Sequence, residues 1–191
     1  MNLDLMIVDN FYPNPDEARE YALSLPFTVR GNFPGIRTKP YLPLFLKEQL
    51  QTCINPVGKI TNWFEDQYTG CFQMTTAKDR TWVHCDFEEW AAVCYLTPNA
   101  PASSGTGFFR NKITGVRAKR ELLDKDEWLK NDAYDGYDYT KWEKIDVVAN
   151  KYNRLVLYRA DMFHASLDYF GSDHNNARLF QVFFFNTSTA Y

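Results

Sequence analysis

The sequence predicts a mostly β protein in which two N-terminal helices flank an antiparallel sheet sandwich or barrel. The first part of the chain contains two stretches with helical spacing. The part after about residue 68 consists of short runs of aromatic and β-branched residues that are separated by turn residues. Helices that precede a series of strands are typical of a sheet that packs its helices on one side.

Length and composition place limits on the class of protein. A chain of 191 residues, 45% hydrophobic and 17% aromatic, is expected to form one domain with its own core. The net charge of −3 gives no basic excess, so we expect no nucleic-acid partner. No apolar run approaches the ~18 residues of a membrane span. The acidic N-terminus does not resemble a signal peptide, and the four cysteines lack C-x-x-C spacing, so we expect a cytoplasmic protein with reduced thiols.

The N-terminal elements follow from local signals. Residues 5–8 form the first strand-like run. Asn14 followed by proline predicts the start of a helix, and residues 15–25 have helical spacing. Residues 30–43 are rich in glycine and proline and are expected to be irregular. Leu44–Ile54 is the second predicted helix, which ends before an Asn-Pro pair.

The rest of the chain reads as strands with one interruption. The segment 122–144 is rich in Asp, Lys, Tyr and Trp, and residues 124–130 within it could form a short helix. This segment is either a lid over an active site or an ordinary surface insertion. The predicted strands comprise residues 68–76, 82–85, 90–96, 107–110, 144–148, 154–159 and 178–185.

Two of the three histidines are candidate metal ligands. His84 and Asp86 are two residues apart, so in an extended strand both side chains point to one side. Two imidazoles and one carboxylate are the ligand set of non-haem iron(II) oxygenases. His164 follows a strand and a bend, whereas His174 lies in a stretch of turn composition and is expected to face water. The alternative reading is a strand-end histidine beside an exposed aspartate.

Arg178 begins the last predicted strand. The preceding turn predicts that this strand forms an antiparallel hairpin with the segment of His164. Alternation places Arg178 on one face with Phe180, Val182 and Phe184, and no acidic residue shares that face. A buried guanidinium without a partner is costly, and a carboxylate ligand matches it in bidentate geometry. The alternative is an arginine exposed at the turn.

The order of these motifs resembles the 2-oxoglutarate/iron(II) dioxygenases, most closely their prolyl-hydroxylase-like branch. The matching pieces are HCD at 84–86, NRLVLYRADMFH at 153–164 and ARLFQVFFF at 177–185. AAVCYLTP at 91–98 resembles the strand of that branch whose tyrosine contacts 2-oxoglutarate, here Tyr95. The resemblance covers about residues 68–187 and implies a double-stranded β-helix (jelly-roll, cupin-like) core. Residues 1–191 are then one domain with a helical part of about residues 1–67.

The resemblance also implies an activity. His84, Asp86 and His164 would hold the catalytic iron(II), and Arg178 and Tyr95 would bind 2-oxoglutarate. Dioxygen and an unidentified primary substrate would complete the reaction. A C–H bond of a peptidyl or free amino acid, or of a small metabolite, would be hydroxylated with release of succinate and carbon dioxide.

The chain departs from the branch in one position that concerns the site. The branch usually has a further tyrosine on the strand before H-x-D, and the nearby positions here are Gln73 and Met74. Two other classes remain as alternatives. One is a non-enzymatic jelly-roll binding module, which gives no reason for Arg178 on an apolar face. The other is a cupin-type metal enzyme without 2-oxoglutarate, which usually recruits more histidines than this chain supplies.

Overall fold

The computed structural model describes residues 3–64, 68–124 and 126–189, and the other positions of the predicted domain lie outside that range. Within these described residues, ten strands and three α-helices have the following bounds. The strands are β1 (Leu5–Asp9), β2 (Ile36–Arg37), β3 (Gly58–Asn62), β4 (Phe72–Thr75), β5 (Trp90–Tyr95), β6 (Thr106–Asn111), β7 (Trp142–Val148), β8 (Arg154–Arg159), β9 (His164–Ser166) and β10 (Arg178–Thr189). The helices are α1 (Pro15–Ser24), α2 (Leu44–Ile54) and α3 (Glu127–Lys130).

The strands form two antiparallel sheets. The larger sheet has seven strands in the order β1-β8-β5-β10-β4-β2, and β3 pairs with the end of β10. The smaller sheet has the order β7-β6-β9. The prediction of a mostly β protein with few helices and antiparallel sheets is confirmed.

The two N-terminal helices begin where local signals place them. The Asn14 side chain accepts a hydrogen bond from the backbone N–H of Glu17 (3.3 Å), and proline occupies the start of α1. On α2, Leu46, Leu50 and Ile54 recur every four residues, are fully buried, and share one hydrophobic cluster with residues of the larger sheet. Within the described part of the chain, no helix has the length and apolar character that crossing a bilayer requires.

Strand β10 is buried on both faces. Leu179, Phe183 and Phe185 belong to the cluster that contains the α2 residues. Phe180 and Val182 point the other way, into a second cluster that contains residues of both sheets. Because β10 also pairs with β3, β4 and β5, it is the strand around which the larger sheet is organised.

The predicted hairpin between the His164 segment and the last strand is wrong. His164 begins β9, which pairs with β6 in the smaller sheet, whereas β10 lies in the larger one. The connection, residues 167–177, contains two residues with positive φ, Asp168 (38°) and Gly171 (79°). Its turn residues therefore carry the chain from one sheet to the other and do not close a tight hairpin.

Three further predictions of secondary structure need correction. Residues 82–85 form no strand, because their backbone hydrogen bonds go to separate partners and His84 makes only an isolated bridge. The stretch 30–43 contains β2, which pairs with β4. The short helix predicted at 124–130 is Glu127–Lys130, and Lys125 lies outside the described residues.

The α2 cluster gives a test of this packing. We expect Leu50→Ala to lower the free energy of unfolding by roughly 2–5 kcal/mol, since it leaves a cavity in a close-packed core. Leu44→Ala on the same helix is the control, because Leu44 is 70% exposed and its removal should cost less than about 0.5 kcal/mol. Urea denaturation of both variants measures the difference. Equal losses in the two variants would contradict the packing described.

A charged cluster ties β1 to the start of β8. Asp9 contacts Arg154 (Nε–Oδ1 2.6 Å) and Lys151 (Nζ–Oδ2 2.7 Å). Hydrogen bonds from Arg154, and then from Lys151, lower the pKa of Asp9 well below its usual range. The Asp9–Arg154 pair is partly exposed, so its contribution to the free energy of unfolding is about 0.5–1 kcal/mol.

We expect Asp9→Asn to be less stable than the wild type at neutral pH. A lowered folded-state pKa stabilises the fold above the ordinary aspartate pKa, and this contribution is lost as the pH falls through the lowered value. The stability difference should therefore shrink between about pH 5 and pH 2.5. Urea denaturation across this range measures it, and a difference that grows on acidification would refute the assignment.

Candidate functional site

The segments that contain the candidate ligands are joined through their backbones. His84 N–H donates to the carbonyl of His164 (2.9 Å), and His164 N–H donates to the carbonyl of His84 (2.8 Å). Asp86 N–H donates to the carbonyl of Ala160 (2.8 Å). These bonds fix residues 84–86 against the chain that leads into β9, so the three predicted ligands meet although two of them lie outside any strand ladder.

The three side chains form a donor set of suitable size for a metal ion. One ligand atom from each of His84, Asp86 and His164 lies within 4.8 Å of the others. The Nδ1 atoms of the two histidines lie 3.0 Å from the carbonyl of Trp82 and 2.8 Å from that of Met162. A carbonyl only accepts hydrogen bonds, so each Nδ1 carries the hydrogen and each Nε2 keeps its lone pair. This geometry fits a divalent cation with positions left for other ligands.

The protonation states also suit a metal ion. Burial, together with the nearby His164, lowers the pKa of His84 to about 4, so its imidazole is neutral at neutral pH. Burial alone would raise the pKa of Asp86. The neighbouring His164 and His84 and the charge of Arg37 outweigh burial and lower this pKa, so the carboxylate is ionised. Metal ligands must be deprotonated, and these two groups are.

The donor set lies in the wall of a cavity of about 520 Å³. Aromatic side chains form much of the remaining wall. Trp128 and Leu129 of the inserted segment 122–144 also line this cavity. The aromatic residues that line the cavity are Phe33, Phe64, Tyr68, Trp82, Phe87, Trp128, Tyr158, Tyr169, Phe180 and Phe184.

Arg178 is fully buried at the start of β10. Its Nε donates to the carbonyl of Ser104 (2.9 Å) and its Nη2 to that of Gly105 (3.4 Å), while Nη1 has no hydrogen-bond partner among the described residues. The guanidinium carbon lies 4.4 Å from the ring centroid of Phe180 and 5.7 Å from that of Tyr169. These two rings line the cavity, and Arg178 lies beside them without lining it. The buried location matches the face that alternation assigned to this arginine.

Tyr95 lies next to Arg178. Its ring centroid is 5.4 Å from the guanidinium carbon, and its side chain is fully buried. The hydroxyl is 2.7 Å from Oγ1 of Thr106, a residue that lines the cavity. The structure therefore brings both predicted 2-oxoglutarate contacts together at one edge of the cavity.

His174 lies apart from this site. It is exposed, its Nε2 is 3.1 Å from the carbonyl of Leu23, and its ring packs edge-on against Phe27. The sequence-based choice of His164 over His174 therefore agrees with the geometry of the donor set.

Sequence reasoning missed Arg37, which lines the same cavity as the donor set. Gln73, one of the two residues near the position where the prolyl-hydroxylase branch usually has a tyrosine, accepts a hydrogen bond from Arg37 Nε (2.8 Å). The chain before residue 68 thus contributes to the site. The only signal was an arginine beside isoleucine in a glycine- and proline-rich stretch, which is too weak to indicate burial.

Comparisons with known proteins agree with this description. Residues 2–184 match a family of unknown function, DUF6445. No curated protein matches the chain by sequence. Among solved structures, HygX from Streptomyces hygroscopicus, determined with nickel and 2-oxoglutarate bound, has a TM-score of 0.65 at 12% identity. That comparison covers 97% of this chain and 83% of HygX.

Two prolyl hydroxylases share the fold as well. A prolyl-4-hydroxylase from Pseudomonas putida has a TM-score of 0.51 at 16% identity, over 97% of this chain and 93% of the enzyme. A prolyl hydroxylase from Trichoplax adhaerens, in complex with a hypoxia inducible factor peptide, has a TM-score of 0.52 at 12% identity, over 95% of this chain and 83% of that enzyme. The family resemblance inferred from the motifs is confirmed. The chain therefore belongs to DUF6445, a family of unknown function, and has the fold of the iron(II)- and 2-oxoglutarate-dependent oxygenases.

Proposed function

We propose that this protein is an iron(II)- and 2-oxoglutarate-dependent oxygenase that hydroxylates a C–H bond of a peptidyl or free amino acid or of a small metabolite. One oxygen atom of O₂ enters the product, and the other enters succinate, which forms from 2-oxoglutarate with loss of carbon dioxide. The observation that carries the proposal is a His-Asp-His donor set in the wall of a cavity, with a buried, partly unpaired arginine directly behind the rings of Tyr169 and Phe180 in the same wall. HygX, which shares the fold, binds 2-oxoglutarate.

In this proposal His84, Asp86 and His164 hold the iron. Two neutral imidazoles and one carboxylate reduce the charge of Fe(II) to +1 and leave coordination positions for a dianionic co-substrate. When bound, iron(II) supplies the activation of dioxygen. The carbonyl groups of Trp82 and Met162 hold the two imidazole rings in the tautomer that a metal ion requires.

Arg178 and Tyr95 bind the distal carboxylate of 2-oxoglutarate in this proposal. The unpaired Nη1 of Arg178 is a charged donor without an acceptor, and a carboxylate would supply one. Carbonyl groups hold Nε and Nη2, so the guanidinium is already oriented. Since Tyr169 and Phe180 line the cavity beside Arg178, a shift of the Tyr169 ring admits the carboxylate.

The aromatic wall and the inserted segment shield the reaction from water. Trp128 and Leu129 reach the cavity from segment 122–144, and we propose that this segment covers the bound substrate. The N-terminal helices pack on one face of the larger sheet and leave its other face to the cavity, as the two hydrophobic clusters support.

We also propose a cytoplasmic location, in keeping with the four free cysteines.

The metal ligands can be tested by binding alone. We expect His164→Ala to weaken Fe(II) binding by more than about 100-fold, since even the loss of an outer-shell partner typically costs 10–100-fold. His174→Ala is the matched control and should bind as tightly as the wild type, because His174 lies outside the donor set. Anaerobic equilibrium dialysis measures both. Equal affinities of the two variants would remove His164 from the site.

The role of Arg178 has a spectroscopic test. Adding 2-oxoglutarate to the anaerobic Fe(II) protein should produce a weak visible charge-transfer band whose saturation gives the affinity. Arg178→Gln should raise the half-saturating concentration about 30-fold or more, since truncating one partner of a buried charge pair costs roughly 2–5 kcal/mol. Arg110→Gln, which removes an exposed arginine paired with Glu143, is the control. An unchanged titration in Arg178→Gln would exclude this arginine as the anchor.

A further inference from the structure

A second buried arginine faces the same cavity. Arg37 lies on β2, is 7% exposed, and forms part of the cavity wall. Its Nε donates to Gln73 Oε1 (2.8 Å). Within residues 3–64, 68–124 and 126–189, its guanidinium makes no other hydrogen bond and no ion pair. Both Nη groups are thus left to a ligand.

Two aromatic rings contact this guanidinium. Its central carbon lies 3.9 Å from the ring centroid of Phe33 and 4.9 Å from that of Tyr68. The two rings meet edge to face, with centroids 5.2 Å apart, and both line the cavity. Cation–π contacts of this kind do not use the N–H donors of the guanidinium, which stay available for hydrogen bonds to a ligand.

The surrounding chain fixes the orientation of Arg37. Gln73 Nε2 donates to the carbonyl of Pro34 (2.6 Å), so its Oε1 is held toward Arg37. Gly35 has a φ of 73°, and a Cβ at this position would lie 2.0 Å from the carbonyl oxygen of Met74. Only glycine therefore lets residues 33–37 pack this closely on β4. The guanidinium is preorganised, which reduces the entropy cost of binding a ligand.

Within the part of the chain that the structure describes, no acidic group lies at ion-pair distance from Arg37. Burial lowers the pKa of Arg37 to about 10, so the guanidinium stays charged at neutral pH. Among the described residues, the acidic ones that line the cavity are Asp86 and Glu88, and neither forms an ion pair with Arg37. Asp86 is a candidate metal ligand. A buried, unpaired cation is unfavourable, and an anionic ligand would offset the cost.

We propose that Arg37 binds a carboxylate of the primary substrate, which is therefore a carboxylate-bearing molecule that enters the aromatic cavity. This inference rests on the proposed function, in which Arg178 holds 2-oxoglutarate and leaves Arg37 free. The two Nη groups form a planar fork that matches a carboxylate. The substrate would be held by its carboxylate at Arg37, on the Phe33 and Tyr68 side of the cavity, with its reacting carbon toward His84 and His164.

Benzoate and its neutral analogue benzamide test this inference. Calorimetric titrations use the full chain loaded with nickel(II) and saturating 2-oxoglutarate, and are repeated without metal. The wild type should bind benzoate more tightly than benzamide. Arg37→Gln should raise the dissociation constant of benzoate on the order of tenfold, since a charged hydrogen-bonded pair is lost. Benzamide binding should stay unchanged, and Arg110→Gln should bind both probes like the wild type.

The comparison with 2-oxoglutarate separates the two proposals. Under the inference, Arg37→Gln leaves the dissociation constant of 2-oxoglutarate within about twofold of the wild type. A rise as large as that for benzoate would mean that Arg37 binds the co-substrate, and would overturn the inference. The metal-free titration does not depend on iron or 2-oxoglutarate. Loss of benzoate selectivity there in Arg37→Gln would support the Arg37 site even if the oxygenase proposal failed.

Other outcomes would also overturn the inference. These are equal affinity of the wild type for benzoate and benzamide, unchanged benzoate binding in Arg37→Gln, or tighter binding of phenyl phosphate than of benzoate. Circular dichroism checks that the variants fold. Arg37→Lys keeps the charge and loses the planar fork, so it should bind benzoate with intermediate affinity. If Arg37→Gln does not fold, wild-type affinity in Arg37→Lys overturns the assignment of a bidentate carboxylate site.

Discussion

The mutual backbone hydrogen bonds between His84 and His164 are the constraint on which the site depends. His164 starts a strand of the smaller sheet, while residues 84–86 belong to no strand, so these two bonds bring the segments together. They place the two imidazole rings 4.4 Å apart between centroids and direct both toward Asp86. The hydrogen bonds from each Nδ1 to a carbonyl then fix the rings. The donor atoms are therefore positioned by main chain, whose geometry varies less than that of long side chains.

Two buried guanidinium groups, Arg37 in the cavity wall and Arg178 behind it, determine the charge around this cavity. Arg178 is held by carbonyl groups and Arg37 by one amide and two aromatic rings, and neither forms an ion pair with an acid of the described chain. Such groups lower stability, because the desolvation of a charge is not repaid within the protein. A protein violates the rules of packing mainly at functional sites. The two arginines therefore mark where anions are expected, although the chain as a whole has a net charge of −3.

The sequence could predict the site residues that belong to ordered motifs. Its predictions failed for residues whose position depends on pairing with a distant strand. The spacing of His84 and Asp86 and the burial of Arg178 follow from local alternation, which is independent of the partner strand. The burial of Arg178 was therefore predicted correctly although the hairpin was wrong. Arg37 has no periodic context, because β2 contains two residues and owes its place to pairing with β4. Burial of that kind is not visible in one sequence.

The pairing of β1 with β8 has a consequence for how the protein folds. Tyr12, which follows β1, is hydrogen-bonded to Asn153, 141 positions away, and β10 pairs with strands that lie between 85 (180 − 95) and 131 (189 − 58) positions earlier in the chain. Closing such large loops costs chain entropy before any contact repays it, so folding is expected on the scale of milliseconds to seconds. The donor set assembles only once these distant pairings exist. A bound metal ion would therefore favour the native state over partly folded ones, and would slow unfolding more than it speeds folding.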